Sequence, residues 1–131
     1  MRITLSSIIV DDQDKALAFY RDTLGFVLKT DVPAGGARWI TLASPEDPDG
    51  AQISLEPNGF PFVATYQAAL KANGVPLTAF AAADVRAEYA RLKGLGVTFR
   101  SEPSNGDAAM PTTAMFDDGC GNWIMIYEPP A

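Results

Sequence analysis

Histidine is absent from this chain of 131 residues, and cysteine occurs once, as Cys120. Those two gaps exclude a histidine-dependent triad, a cysteine-rich zinc motif and any disulfide within the chain. A lone cysteine also agrees with a reducing compartment. Basic residues are scarce as well, 10 Lys and Arg against 16 Asp and Glu, for a net charge of -6 at pH 7. With no basic run to offset that balance, a nucleic-acid groove or an anionic membrane face would meet net repulsion. No window approaches the span of about 20 apolar residues that crosses a bilayer, and Met1-Arg2-Ile3-Thr4 lacks the apolar stretch of a signal peptide. The expectation is a cytoplasmic protein with neither nucleic acid nor membrane as partner.

What the chain does have is a repeat. Glu56-Pro57 and Glu128-Pro129 each close an apolar run, Ile53-Ser54-Leu55 and Ile126-Tyr127, and the two pairs lie 72 residues apart. The same spacing relates Leu5 to Leu77 and Asp12 to Asp84. A unit that recurs at matched strand positions must bury an apolar face in each copy, so the duplication sets the architecture before propensity does. The length suffices to bury a core at roughly two thirds of the unfolded surface.

Residues 3–10 are rich in β-branched side chains and read as a strand. Asp11-Asp12-Gln13-Asp14 follows, a stretch suited to cap a helix and favour its positive end. Ala16, Phe19, Tyr20 and Leu24 recur at helical spacing, and Gly25 is a natural stop. Strands are predicted over 26–30, 38–43 and 51–56, separated by Pro33-Ala34-Gly35-Gly36 and by the acidic, proline-stiffened loop 44–50, expected as a solvated hairpin. The second half repeats that order: strand 77–82, helix 85–95 stopped by Gly96, and strands 97–101, 112–116 and 123–128. Phe62 to Ala72 reads as an extra helix ending at Asn73-Gly74. The expected organisation is a first βαβββ module over 1–57, a connector over 58–76 and a second module over 77–131.

One set of residues resembles a known family. Val10-Asp11-Asp12-Gln13-Asp14-Lys15-Ala16-Leu17-Ala18-Phe19-Tyr20 with Leu24-Gly25-Phe26 is similar to the vicinal oxygen chelate superfamily, which includes glyoxalase I, extradiol dioxygenases, fosfomycin resistance proteins and bleomycin-binding proteins. Ala83-Asp84-Val85 with Leu95-Gly96-Val97, and Phe116-Asp117-Asp118-Gly119-Cys120-Gly121-Asn122 leading to Tyr127-Glu128-Pro129, carry the same resemblance through the second half. It implies an α+β fold of two tandem βαβββ modules, a curved mixed-sheet cup or barrel around a small-molecule site, in a homodimer. Fold alone does not fix activity.

In metal-using relatives, the resemblance implies ligands early in the first strand of each module and a Glu at the end of each last strand. Those places fall here at Leu5, Glu56, Leu77 and Glu128, so leucine stands where a histidine ligand would. No metal is expected on that basis; the alternative is a divalent transition metal held weakly by Glu56 and Glu128, since Zn, Ni and Fe favour imidazole, thiolate and carboxylate. Glu56 and Glu128 are the candidate catalytic carboxylates, able to bind a cationic or hydrogen-bond-donating ligand or to act as a base.

Alternation groups Leu5, Ser7 and Ile9 on one face, Leu77, Ala79 and Ala81 on the equivalent face, and Gln52 and Ser54 with Glu56. It also sets Ile124 and Ile126 with Glu128, which turns Trp123 and Met125 the other way, with Trp123 as core under a helix. The ligand-binding candidates are Leu5, Ser7, Trp39, Gln52, Ser54, Leu77, Ala79, Ile126 and Phe60. Cys120, between two glycines, is expected in a tight turn with an accessible thiol but no base to ionise it. Arg38 is a candidate cationic partner for a carboxylate, and a pair with Arg38 or another cation is the structural alternative to a ligand role for Glu56 and Glu128.

Two function classes follow. The first is a metal-independent protein that binds a drug or metabolite, needing apolar walls and a few polar anchors. The second is a glyoxalase-like lyase, isomerase or dioxygenase with an atypical metal site, chemistry that requires a Lewis acid.

Overall fold

The computed structural model describes residues 1–130. They form two compact units that divide after Tyr66.

In the first unit, β1 (Leu5–Val10) leads to α1 (Gln13–Leu17), which passes into a π-helical segment (Ala18–Thr23). Asp12 is the N-cap, its carboxylate accepting from the Lys15 N–H at 3.0 Å. Gly25 ends the segment at φ 90°, a conformation that costs glycine little. The predicted helix is therefore present, with its second half wound more loosely than expected. Strands β2 (Val27–Ala34), β3 (Ala37–Ser44) and β4 (Asp47–Pro57) complete the unit.

The sheet runs β1-β4-β3-β2, with β1 parallel to β4 and the other pairs antiparallel. Ile8, Val10, Ile40, Leu42 and Leu55 on the strands, with Ala16, Leu17 and Tyr20 on the helical segments, are among the buried apolar side chains of this unit. Gln13 fastens the start of α1 to the sheet: its amide donates to the carbonyls of Arg38 (2.7 Å) and Leu55 (2.9 Å) and accepts from the Arg38 N–H (3.0 Å).

The acidic loop is smaller than expected. Only Pro45 and Glu46 form the turn, and β4 starts at Asp47. Ser44 faces Asp47 while Ala43 faces Gln52, so the extra residues of β4 bulge between those two pairs. The Asp47 carboxylate folds over Gly50, where a Cβ would collide with it.

α2 (Pro61–Ala72) starts in the first unit and ends in the second at Asn73-Gly74. The second unit continues with β5 (Thr78–Ala81), α3 (Val85–Gly94), β6 (Thr113–Asp117) and β7 (Trp123–Tyr127). Its sheet runs β5-β7-β6, with β5 and β7 parallel. The expected strand over 97–101 is absent as a strand. That segment meets β6 through one bridge, Phe99 to Phe116, and two backbone hydrogen bonds, before Pro103 and its missing N–H. Its position beside β6 preserves the strand order of the first unit.

Cys120 is the clearest reversal. It is buried, because the turn closes on Asp118, whose Oδ1 accepts from the N–H of Cys120 (2.7 Å) and of Asn122 (3.1 Å). The Gln67 amide of α2 then donates to the Cys120 carbonyl and to Asn122 Oδ1, both at 3.0 Å.

Asp84 caps α3 through the Ala87 N–H at 2.9 Å. Asp84→Ala is expected to lower stability by about 1 kcal/mol in urea unfolding followed by far-ultraviolet dichroism.

Candidate functional site

In the first unit, pairing brings the predicted polar residues together on one sheet face. β1 and β4 align Leu5 with Gln52, Ser7 with Ser54 and Ile9 with Glu56, and β3 sets Thr41 beside Ser54. Alternation places Trp39, half-buried, on the same side as Thr41, and this face is opposite the one carrying Ile8, Val10, Ile40 and Leu42. Ser54 is fully buried and lies 2.9 Å from Glu56 Oε1 and 3.3 Å from Ser7 Oγ. Glu56 is half-buried, and among the described residues no Lys or Arg forms an ion pair with it.

Arg38 is a carboxylate partner, but of Asp31 and Asp14 and not of Glu56 or Glu128. Its guanidinium grips Asp31 in two bonds, 3.0 and 2.7 Å, and also pairs with Asp14. The Arg38 hydrogen bonds hold the Asp31 carboxyl below the usual carboxylate range, and the bond to Asp31 first, then that to Asp14, raises the guanidinium pKa in return.

The second unit does not repeat this face. Here Ala79 pairs with Met125 and Ala81 with Tyr127, so Tyr127, not Glu128, stands where Glu56 stands in the first sheet. Glu128 shares the side of Ile124 and Ile126, and its carboxylate accepts from the Val85 N–H at 3.1 Å, at the N-terminus of α3 where a negative charge is favoured. Ile126 is a core residue on that same side, turned away from Ala79. Phe99 bridges Tyr89 of α3 to Phe116 with centroid distances of 4.6 and 5.7 Å, which marks the α3 side independently.

Trp123 lies on the other side and is not core beneath α3. Its indole N–H donates to the Lys71 carbonyl of α2 at 3.1 Å, the Lys71 ammonium sits 4.3 Å from the ring centroid, and that ammonium also meets Asp117 at 2.7 Å. Leu77 is half-buried just before β5, its N–H bonded to the Trp123 carbonyl. In the first unit, Phe60 lies outside the strands, exposed and stacked on Phe62 at 5.6 Å.

Sequence reasoning missed Thr41. It is buried, and its hydroxyl finds no hydrogen-bond partner among the described residues. The signal was a hydroxyl between Ile40 and Leu42 in a strand whose alternation was already assigned.

The positions that the resemblance assigns to metal ligands fit a transition metal poorly. Leu5 and Leu77 carry no donor atom, and Glu128 is engaged at the start of α3. Among the described residues no three His, Cys, Asp or Glu side chains gather as a ligand set.

Comparison with known proteins then places the chain. The Glyoxalase/Bleomycin resistance protein/Dioxygenase superfamily model matches residues 2–126. The chain belongs to that superfamily. It is 50% identical to YurT of Bacillus subtilis (strain 168) over 128 residues, 98% of this chain and 99% of that one. Among solved structures it is similar to UcmS2, 30% identical with a TM-score of 0.83 over 98% of both chains. It is also similar to TnmS3, an antibiotic binding protein from Streptomyces sp. CB03234, 30% identical with a TM-score of 0.76 over 99% of this chain and 97% of that one. No helix in the described residues is long and apolar enough to cross a membrane.

The Asp31–Arg38 contact yields a pH prediction. Because the folded state depresses the Asp31 pKa, the contact stabilises the fold above the unfolded value of about 3.9 and ceases to do so as pH falls through and below it. Thermal unfolding from pH 7 to pH 3 is expected to show Asp31→Asn less stable than the parent at neutral pH, with the gap closing in acid.

Proposed function

We propose that this protein binds a small molecule without a metal, with the polar sheet face of the first unit as anchor. The observation that carries the proposal is Glu56: a half-buried carboxylate with one hydroxyl neighbour and no basic partner among the described residues. A carboxylate accepts up to about four hydrogen bonds and the Ser54 hydroxyl supplies one, so such a group favours a ligand that brings a cation or a hydrogen-bond donor. Trp39 and the aliphatic side chains of Leu5 and Ile9 give the same face apolar surface, the usual mixture of a ligand site. The antibiotic-binding relative TnmS3, similar over almost the whole chain, supports this class of function.

Glu56 is the anchor, with Ser7, Ser54 and Gln52 beside it. Glu128 is a helix-capping group in this account, so the catalytic pair expected from the repeat is replaced by one binding carboxylate. The proposed setting is the cytoplasm.

Titration followed by tryptophan fluorescence tests the proposal, using daunorubicin as a cationic aromatic ligand, tetracycline as a polyoxygenated one and benzylpenicillin as an anionic one. Saturable binding of at least one of the first two is expected, weakened about tenfold by Glu56→Gln, the equivalent of one charge-assisted hydrogen bond. Benzylpenicillin is expected to bind least. Equal affinity of parent and Glu56→Gln for every probe would refute the anchor.

We also propose a homodimer, with the exposed aromatics Phe60, Phe62 and Tyr66 as the contact. Sedimentation at micromolar concentration is expected to give twice the mass of 14.0 kDa, and Phe60→Ser with Phe62→Ser to give the monomer. A parent that sediments as a monomer removes this part of the proposal.

A further inference from the structure

Four hydroxyls form one row across the whole first sheet. Thr30 of β2 pairs with Thr41 of β3, Thr41 with Ser54 of β4, and Ser54 with Ser7 of β1. Paired residues of neighbouring strands project to the same face, about 4.8 Å apart, so the row runs perpendicular to the strands from one edge to the other. Its two central members are buried, Thr41 at 1% exposure and Ser54 at 0%, while Thr30 is half-buried and Ser7 exposed.

Proton counting orients the row. Ser54 owns one hydroxyl proton, and the shorter contact, 2.9 Å to a carboxylate oxygen that can only accept, takes it. The 3.3 Å contact between Ser54 Oγ and Ser7 Oγ then requires the Ser7 proton. Ser7 is left facing outward with lone pairs, and Glu56 with its second oxygen, both acceptors. Thr41 is the reverse case: its hydroxyl has no partner among the described residues, and its proton is uncommitted.

We infer that this row is the recognition line of the ligand site, with Thr41 donating to a ligand carbonyl or ether oxygen and Ser7 and Glu56 accepting from ligand hydroxyl or ammonium groups. The ligand class is an oxygenated molecule, neutral or cationic, that carries an acceptor and a donor along one edge. Carboxylates and phosphates are disfavoured, because Ser7 and Glu56 present acceptors and such groups bring no proton to them. The inference rests on the proposed binding function and specifies its ligand chemistry.

The decisive variant is Thr41→Val, which keeps the shape and removes the hydroxyl. Burial of an unpartnered hydroxyl opposes folding, so the ligand-free variant is expected to melt at the parent temperature or above it, while its affinity falls. Kaempferol and its tetramethyl ether serve as probes, the ether retaining the carbonyl and ring system and lacking all donors. The parent is expected to bind kaempferol about tenfold more tightly than the ether, and Thr41→Val to bind both about tenfold more weakly than the parent does. A lower melting temperature for Thr41→Val, unchanged affinity in that variant, or equal binding of kaempferol and its ether by the parent would each overturn the row. A parent that binds neither kaempferol nor any antibiotic probe above would overturn the binding function itself.

Discussion

The parallel pairing of first and last strand within each unit decides which side chains share each sheet face. In the first unit Ile9 aligns with Glu56; in the second, Ala81 aligns with Tyr127. The side-chain period of a strand is two, so this shift of one residue exchanges the faces of every side chain on the last strand. Ser54 and Glu56 thereby share a face with Ser7, whereas Ile126 and Glu128 turn towards α3. Two identical Glu-Pro dipeptides consequently do different work. One leaves a carboxylate half-buried without a cation, and the other fills the orphan N–H of a helix start.

Much of the framework was legible because it depends on local chemistry. Asp12 and Asp84 cap their helices as the duplicated acidic residues predicted, and Gly25 and Gly96 end them at φ 90° and 88°. The strand order repeats because each copy must cover one apolar sheet face with its own helix. What the letters concealed is register. The 72-residue offset aligns the sequences of the two last strands, but pairing answers to the buried Ile124 and Ile126, which have to meet the core under α3. Burial of those two isoleucines outweighs the identity of the dipeptide that follows them.

The hydroxyl row shows the same division. Its Thr30–Thr41 step follows from a two-residue Gly35-Gly36 turn, both glycines at positive φ, which pairs Ala34 with Ala37 and carries the register down the hairpin. The step from Thr41 to Ser54 could not be counted from its own turn, because the bulge between the Ser44–Asp47 and Ala43–Gln52 pairs intervenes. Pro48 cannot donate a ladder bond and the Asp47 carboxylate occupies the space over Gly50, so the strand gains residues where no pattern in hydrophobicity marks them. Long-range pairing, not local propensity, assembled the hydroxyl row.

A central sheet position is an expensive place for a hydroxyl without a partner. Apolar neighbours Ile40 and Leu42 show that β3 has no shortage of β-branched and aliphatic residues, and a valine at 41 would fill the same volume with no polar atom to satisfy. Ser54 has an evident structural use, since it holds one oxygen of Glu56 and contacts Ser7. Thr41 has none within the described protein. A buried hydroxyl with no internal partner fits the proposed role of meeting a group from outside, and its neighbours, Ser54 and Trp39, belong to the face that carries Glu56. The unpartnered hydroxyl of Thr41 and the Glu56 carboxylate, which meets no Lys or Arg among the described residues, are the two features behind the proposed ligand, which accepts at the first and donates at the second.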